Sequence, residues 1–392
     1  MVPNGWNEGQ VQDFLFLQRG FDLTAKQAVD GNIPVYSSSG LAYFHNESKV
    51  RGPGIVTGRK GSVGPVYLIN EDFWPHDTTL WVKDFKGNDI KYIEYFLRFL
   101  RLERFDEASS VPTLNRNNVH GVKCVFPPFS EQKKIAEILS TWDKAITTTE
   151  QLLANSQQQK KALMQQLLTG KKRLLNKNGV RFSEEWKFQS ISQISKRIQR
   201  KSDGEDHPIL TISSLSGFVR QDERYSRYMA GESVKNYILL KKGEFAYNKG
   251  NSKTYEFGCI FDLDSHKSGL VPHVYVCFKL HQGLSHRYFK YLFEADYLKP
   301  QLGALVNTGV RNNGLLNIKP AEFMITKVPV PCFDEQERIA DVIHASSDTI
   351  SKLQQKLDAL KQEKKALMQQ LLTGKRRVQL TEQNTKAATY GN

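Results

Sequence analysis

Two stretches of the chain carry a seven-residue rhythm. Between 130 and 170, Ile135, Leu139, Trp142, Ile146, Leu153, Leu163 and Leu167 step by alternating fours and threes, and Thr149, Ser156 and Lys160 keep the phase. This spacing predicts a long helix with one narrow apolar seam, as in a coiled coil. A shift of 204 positions finds the seam again at Ile339, Ile343, Ile350, Leu353, Leu357, Leu360, Leu367 and Leu371, with Ser346 and Lys364 as its polar members. Ser130, and Asp334 with Glu337, read as N-terminal caps, while Gly170 and Gly374 stand where such helices stop. Rods of about forty residues are about 60 Å long at ~1.5 Å per residue, more than one small domain needs for its core. The simplest partner for each rod is the other. Their tandem connection through a compact domain makes an antiparallel pair with pseudo-two-fold symmetry and one head at each end. The competing arrangement puts each helix on its own head or in a separate dimer, since heptads alone do not fix the partner. Lys160 and Lys364 fall on the seam, either setting register or simply solvated.

The repeat extends beyond periodicity. KKALMQQLLTGKKR, ending at Arg173, returns as KKALMQQLLTGKRR, ending at Arg377, and Glu131-Gln132 returns as Glu335-Gln336. Outside the helices the correspondence fails, although each copy opens near a tryptophan, Trp6 or Trp186. The preceding stretches read as short strands with Gly-, Ser- and Asn-rich turns, such as IPVYSSSG and TTLWVKDF in one and PILTISSLSGFV and GLVPHVYVCFKL in the other, with helices near 90–102 and 286–298. The expected class is α+β: a sheet-containing head at 1–129, a helix at 130–170, a linker at 171–185, a second head at 186–333, a second helix at 334–374 and a basic end with a tail at 375–392.

Charge narrows the picture unevenly. The chain carries a net +14, yet residues 1–129 hold 14 basic and 14 acidic groups, and the excess lies in 130–181 (10 and 4), 182–333 (21 and 15) and, more weakly, 334–392 (10 and 8). Charge alone does not mark the first head as a nucleic-acid binder. Basic triplets follow each helix, Lys171-Lys172-Arg173 and Lys375-Arg376-Arg377, and read either as solvated helix ends or as phosphate contacts. Four widely spaced cysteines form no CxxC pair, which argues against a zinc site or disulfide framework and for a reducing cytoplasm. No signal-like start or membrane-length apolar run is present in the sequence.

Candidate chemistry concentrates in the loops of the heads. Gly58-Arg59-Lys60-Gly61-Ser62 and Asn248-Lys249-Gly250-Asn251-Ser252 combine glycines, which allow close backbone approach, with donors suited to phosphates or base edges. Ordinary solvated hairpin turns are the competing reading. His76 and His273 precede equivalent strands, and the candidate DNA contacts are completed by Ser38, Ser39, Thr78, Asn115, Arg116, Lys253, Arg311 and Asn312. Asp77, Asp89 and Lys91 loosely match the spacing of a metal-dependent nuclease, but capping and solvation explain them as well. No GxxxxGK[ST] motif and no adenine-methylation motif occurs.

FPPFSEQ at 126–132 and VPCFDEQ at 330–336, each followed after two further residues by Ile-Ala, and the twin LMQQLLTGK tails resemble the DNA-specificity subunits of type I restriction-modification systems. GPGIVTGRKGSVGPVYL, DFWPHDTTL and SSVPTLNRNNV are similar to one variety of that family's target-recognition domain. The resemblance implies a bacterial or archaeal cytoplasmic protein without catalysis of its own. It would read a split double-stranded DNA sequence, one half-site per head, with the helices as ruler and as platform for two methyltransferase subunits. Restriction-translocation subunits would join through those partners, and S-adenosylmethionine, ATP and Mg²⁺ would belong to the partners. A stand-alone metal-dependent nuclease and a non-specific coiled-coil adaptor are the alternatives.

Overall fold

The computed structural model describes residues 2–24, 26–106, 110–224, 231–250, 252–306 and 316–380. The chain forms two compact units, one made of Met1–Gln151 with Gln354–Asn392, the other of Leu152–Leu353. The long helices span Phe129–Leu167 and Phe333–Leu372. Each unit therefore holds one head, the first half of the helix that follows it and the last half of the other helix.

In the first unit, Asp143 meets Lys364 and Glu150 meets Lys361. Numbers rising along one helix face numbers falling along the other, so the segments are antiparallel. The second unit shows the same sense, with Met164, Leu167 and Leu168 sharing a core with Ile339, Ala340 and Ile343. Every seam position named above is buried or half-buried, whereas Leu152, one step off the seam, is exposed. The helices also pack on the heads. Leu371 and Leu372 enter the core of the first head beside Trp6, Val11 and Phe126, where full burial stabilises by about 1.5 to 3 kcal/mol per leucine.

Both helices start upstream of the expected caps. The Pro128 carbonyl accepts the amides of Glu131 and Gln132 at 2.9 and 3.0 Å, and the Cys332 carbonyl those of Glu335 and Gln336 at 3.1 and 3.0 Å. Ser130 and Asp334 consequently lie inside the first turn. Glu337 forms no capping box there, because its carboxylate is taken by the Ser285 hydroxyl and Arg287. The stops are left-handed glycines, Gly170 at φ 72° and Gly374 at φ 69°, each closed by an amide two residues further on: Lys172 donates to Gln166 O and Arg376 to Gln370 O.

Each head is built on a four-stranded antiparallel sheet. In the first, the order is Phe16–Arg19, Thr79–Asp84, Gly54–Gly58, Val66–Ile69. In the second it is Ser195–Ile198, Val276–Leu280, Phe245–Asn248, Cys259–Asp262. Gly54–Gly58 is buried along its whole length, consistent with a central strand covered on both faces. The next strands after the first strand of each sheet form a hairpin, Ile33–Ser37 with Gly40–His45, and Leu210–Ser213 with Gly217–Arg220. One helix closes each head, Ile90–Leu100 capped by Asp89 and His286–Glu294 capped by Ser285. The entry strand Asn7–Gln10 pairs with Lys123–Phe126, and Lys187–Ser190 pairs with Lys327–Val330.

Candidate nucleic-acid interface

The Glu-Gln pair at the start of each long helix explains how a head is aimed. Gln132 accepts the amide of Asp89 at 2.8 Å and donates to Asn88 Oδ1 and Pro127 O. Gln336 accepts the amide of Ser285 at 2.9 Å and donates to Pro331 O. Each glutamine thus grips the cap of the closing helix in its own head. The neighbouring glutamate faces the other way. Glu131 accepts the Trp6 indole N–H at 3.3 Å and both prongs of Arg377, whose Nη1 also donates to Asn4 O. Glu335 accepts the Trp186 indole N–H at 2.8 Å and both prongs of Arg173 at 2.6 and 2.7 Å, while Arg173 donates to Glu184 O. These arginines are the last members of the two basic triplets, and a buried carboxylate holds each of them.

The seam lysines have partners as well. Lys364 pairs with Asp143 and sits 5.4 Å above the Tyr95 ring, and Tyr95 donates to Asp143 at 2.6 Å. Burial raises the Asp143 carboxyl, but the hydrogen bonds from Lys364 and Tyr95 outweigh it and hold the group below its ordinary value. Lys160 pairs with Glu294 at 2.6 Å and lies 5.7 Å from the Tyr291 ring. Their side chains are only 14% and 17% exposed, so neither is merely solvated.

At the far edge of the first head, four chain segments converge. Arg59 and Lys60 donate their amides to Thr78 O at 2.8 and 3.0 Å, and Leu114 donates to Arg59 O at 2.7 Å. Ser38 donates its amide to the Thr78 hydroxyl at 3.3 Å, and a side chain at Gly58 would strike Ser62 O and Ser38 O. Only glycine fits that crossing. Lys60, Ser62, Ser39, Asn115 and Arg116 are exposed on this edge, whereas Ser38 is buried. Arg59 spends one prong on Asp77 O at 3.0 Å. Asn115 caps the short helix Arg116–His120, and the Arg116 guanidinium stands 5.6 Å from the Phe16 ring. His76 is turned inward: Nε2 contacts Leu23 O at 2.9 Å, and Nδ1 lies 3.1 Å from Thr78 Oγ1 and 2.8 Å from Asp77 Oδ1. With both ring nitrogens engaged, it shapes the turn that carries Thr78.

The second head has the same edge with different chemistry. Tyr275 stands one residue before its strand, as Thr78 does, and its hydroxyl meets Thr211 Oγ1 at 3.1 Å and accepts the Ile212 amide at 3.2 Å. It steadies the hairpin there as Thr78 steadies the other. Leu215 at that hairpin tip is 83% exposed. Asn248 accepts the Gly250 amide at 3.0 Å, and the Lys249 ammonium donates to Ile318 O at 3.2 Å, so this lysine supports the loop. Ser252 closes a turn with Tyr255. Lys253 and His273 are exposed. Asn251, Arg311 and Asn312 lie outside the described residues.

The residues of the nuclease pattern have other duties. Asp77 takes Arg19 at 3.1 Å, Asp89 accepts the Tyr92 amide at 2.8 Å as a helix cap, and Lys91 pairs with Glu94. Burial pushes the thiols of Cys124, Cys259 and Cys277 up to about 12, so these are poor nucleophiles at neutral pH. Among the described residues, Asp203, Glu205 and His207 come within 4.8 Å of one another, but His207 is already engaged by Asp203 and Ser268. No helix among the described residues is long and apolar enough to cross a membrane.

Residues 3–156 match the family model of the type I restriction modification DNA specificity domain. Over 413 aligned residues the chain is 24% identical to the type I restriction enzyme MjaVIII specificity subunit of Methanocaldococcus jannaschii, covering 96% of this chain and 94% of that protein. A putative type I restriction enzyme MjaX specificity subunit of the same organism is 24% identical over 80% of this chain and 75% of its own length. Among solved structures, the type I restriction-modification S subunit from M. genitalium superposes with a TM-score of 0.57 at 12% identity, covering 97% of this chain and 98% of that one. The specificity subunit from Thermoanaerobacter tengcongensis gives 0.51 at 12% identity, covering 96% and 98%.

Proposed function

We propose that this chain is a type I restriction-modification specificity subunit and that it reads a split double-stranded DNA target with one half-site per head. The observation that carries the reading is the repeated edge. In both heads a serine-bearing hairpin is held by the residue one place before an inner strand, beside a loop rich in glycine, lysine and asparagine or arginine. Such an edge offers hydroxyl, amide and cationic donors while the sheet behind it stays rigid. The two heads differ at nearly every exposed position there, as required for reading two different half-sites. Lys60, Ser62, Ser39, Asn115 and Arg116 are assigned to the first half-site, with Arg59 sharing its guanidinium between Asp77 O and DNA. Lys253, His273 and the Leu215 hairpin are assigned to the second.

The long helices, each passing from one unit into the other, set the unread spacer. Their outer faces, including Leu152, present a platform for two methyltransferase subunits, through which restriction-translocation subunits join. The chain recognises and positions, and it is not itself the catalyst. S-adenosylmethionine, ATP and Mg²⁺ belong to the partners. The test is selection of methylated sites by the assembled complex from a library randomised in both half-sites and in the spacer. The reading requires a bipartite consensus with a fixed gap; methylation indifferent to sequence would exclude it.

A further inference from the structure

The glutamate locks are wired crosswise. Arg377 follows the second head in the chain, yet it grips Glu131 and the backbone of Asn4 in the unit of the first head. Arg173 follows the first head, yet it grips Glu335 and Glu184 O in the unit of the second. In each case the guanidinium also stacks against the tryptophan that opens the head, 5.9 Å from the Trp6 ring and 5.4 Å from the Trp186 ring. The left-handed glycine before it brings the chain against the same ring: a Cβ at Gly374 or Gly170 would lie 3.3 Å from the indole. A second layer repeats the lysine-over-tyrosine contact with different acids: Lys364 lies by Tyr95 and pairs with Asp143 of the other long helix, and Lys160 lies by Tyr291 and pairs with Glu294 of the closing helix.

We propose that Arg377 and Lys364 are positioning residues for the first half-site, and Arg173 and Lys160 for the second, so that each head takes its aim from the helix end supplied by the other half of the chain. This rests on the DNA-reading role above. The physical ground is geometric. A planar guanidinium held at both prongs by a buried carboxylate fixes orientation as well as distance. The carboxylate sits one residue before the glutamine that grips the head's closing helix. One rigid link therefore runs from a helix end, through the Glu-Gln pair, to the frame of the reading edge. None of the four residues lies on that edge, so they act through the aim of the head.

The experiment uses the assembled complex with the full chain and a library randomised in both half-sites and in spacer length. Arg59→Ala first marks which half-site the first head reads. Arg377→Ala should then lower the penalty for wrong bases in that half-site by about tenfold and widen the accepted spacers, because a loosely held head adds less to the affinity of a linked pair. The other half-site should keep its penalty. Arg173→Ala should give the mirror result, and Arg377→Lys, which keeps the charge without the fork, should fall between Arg377→Ala and the parent chain. Lys364→Met and Lys160→Met retain the packed stem and provide a milder pair acting on the same heads. Variants that keep one spacer and both penalties overturn the proposal. So does a loss at both half-sites together, which would reduce the locks to holding the fold. A parent chain that ignores sequence would instead sink the DNA-reading role, a result separable from lock variants that behave like their parent.

Discussion

The two units use the same lock at different depths. Glu335 is 0% exposed and Glu131 5%, and the side chain of Arg173 is 21% exposed against 41% for Arg377. The indole bond is also shorter in the second unit, 2.8 Å against 3.3 Å. At the opposite edge of each head the chemistry itself changes, with Thr78 in one and Tyr275 in the other steadying hairpins of unlike sequence. The Glu-Gln pair, the arginine and the tryptophan of each lock are repeated, whereas the residues that steady the hairpins have diverged.

The difference in depth has a measurable consequence. Removing one partner of a buried ion pair strands the other charge at a cost of about 3 to 5 kcal/mol. Arg173→Ala should approach that loss in urea unfolding, and Arg377→Ala should fall clearly below it, since its pair is better hydrated. Equal losses would mean that burial does not set the strength of the locks. Arg59→Ala addresses the proposed reading edges: discrimination at one half-site should weaken by about 1 to 3 kcal/mol, measured by competition with single-base variants. A uniform loss across all sequences would make Arg59 a phosphate contact.

The glycine stops separate the units on a smaller scale. A non-glycine residue at a left-handed position costs about 1 to 2 kcal/mol. Gly170→Ala should cost that much in a thermal melt. Gly374→Ala should cost more, because its Cβ would also lie 2.3 Å from Pro3 Cγ. The smallest effect is confined to the second unit, where burial raises the Asp296 carboxyl to about 6. The folded state then holds a proton that the unfolded chain releases near its ordinary carboxylate value. Stability present below that value is lost as pH rises through about 6, by roughly 1 kcal/mol after allowing for solvent screening. Asp296→Asn, which tolerates the φ of 55° at this site, should remove that pH dependence from the urea midpoint; an unchanged slope would place its origin elsewhere.

What was legible in the sequence follows the range of the interaction. The seam could be read because its partners recur every three or four residues. The Glu-Gln pair was visible as a repeat, but its purpose was not, because Glu131 is met by residues 125 positions upstream and 246 downstream. The glycines at 58 and 61 flagged a close crossing, yet nothing local says that Thr78 lies beneath it. Lys249 and His76 looked like ligand donors by residue type alone. In the fold the Lys249 ammonium is drawn to Ile318 O and the His76 ring to Leu23 O, because a loop that must hold its shape uses its own polar groups first.

The most direct measurement concerns the spacer. One heptad inserted after Gln151 and another after Leu353 keeps the seam in phase and leaves both locks and both heads untouched. Seven residues lengthen each helix by about 10 Å at ~1.5 Å per residue, which corresponds to about three base pairs at ~3.4 Å each. Sites methylated by the assembled complex should show the same two half-sites separated by a gap about three pairs longer. An unchanged gap, or a changed consensus within either half-site, would contradict the assignment of reading to the heads and of distance to the helices.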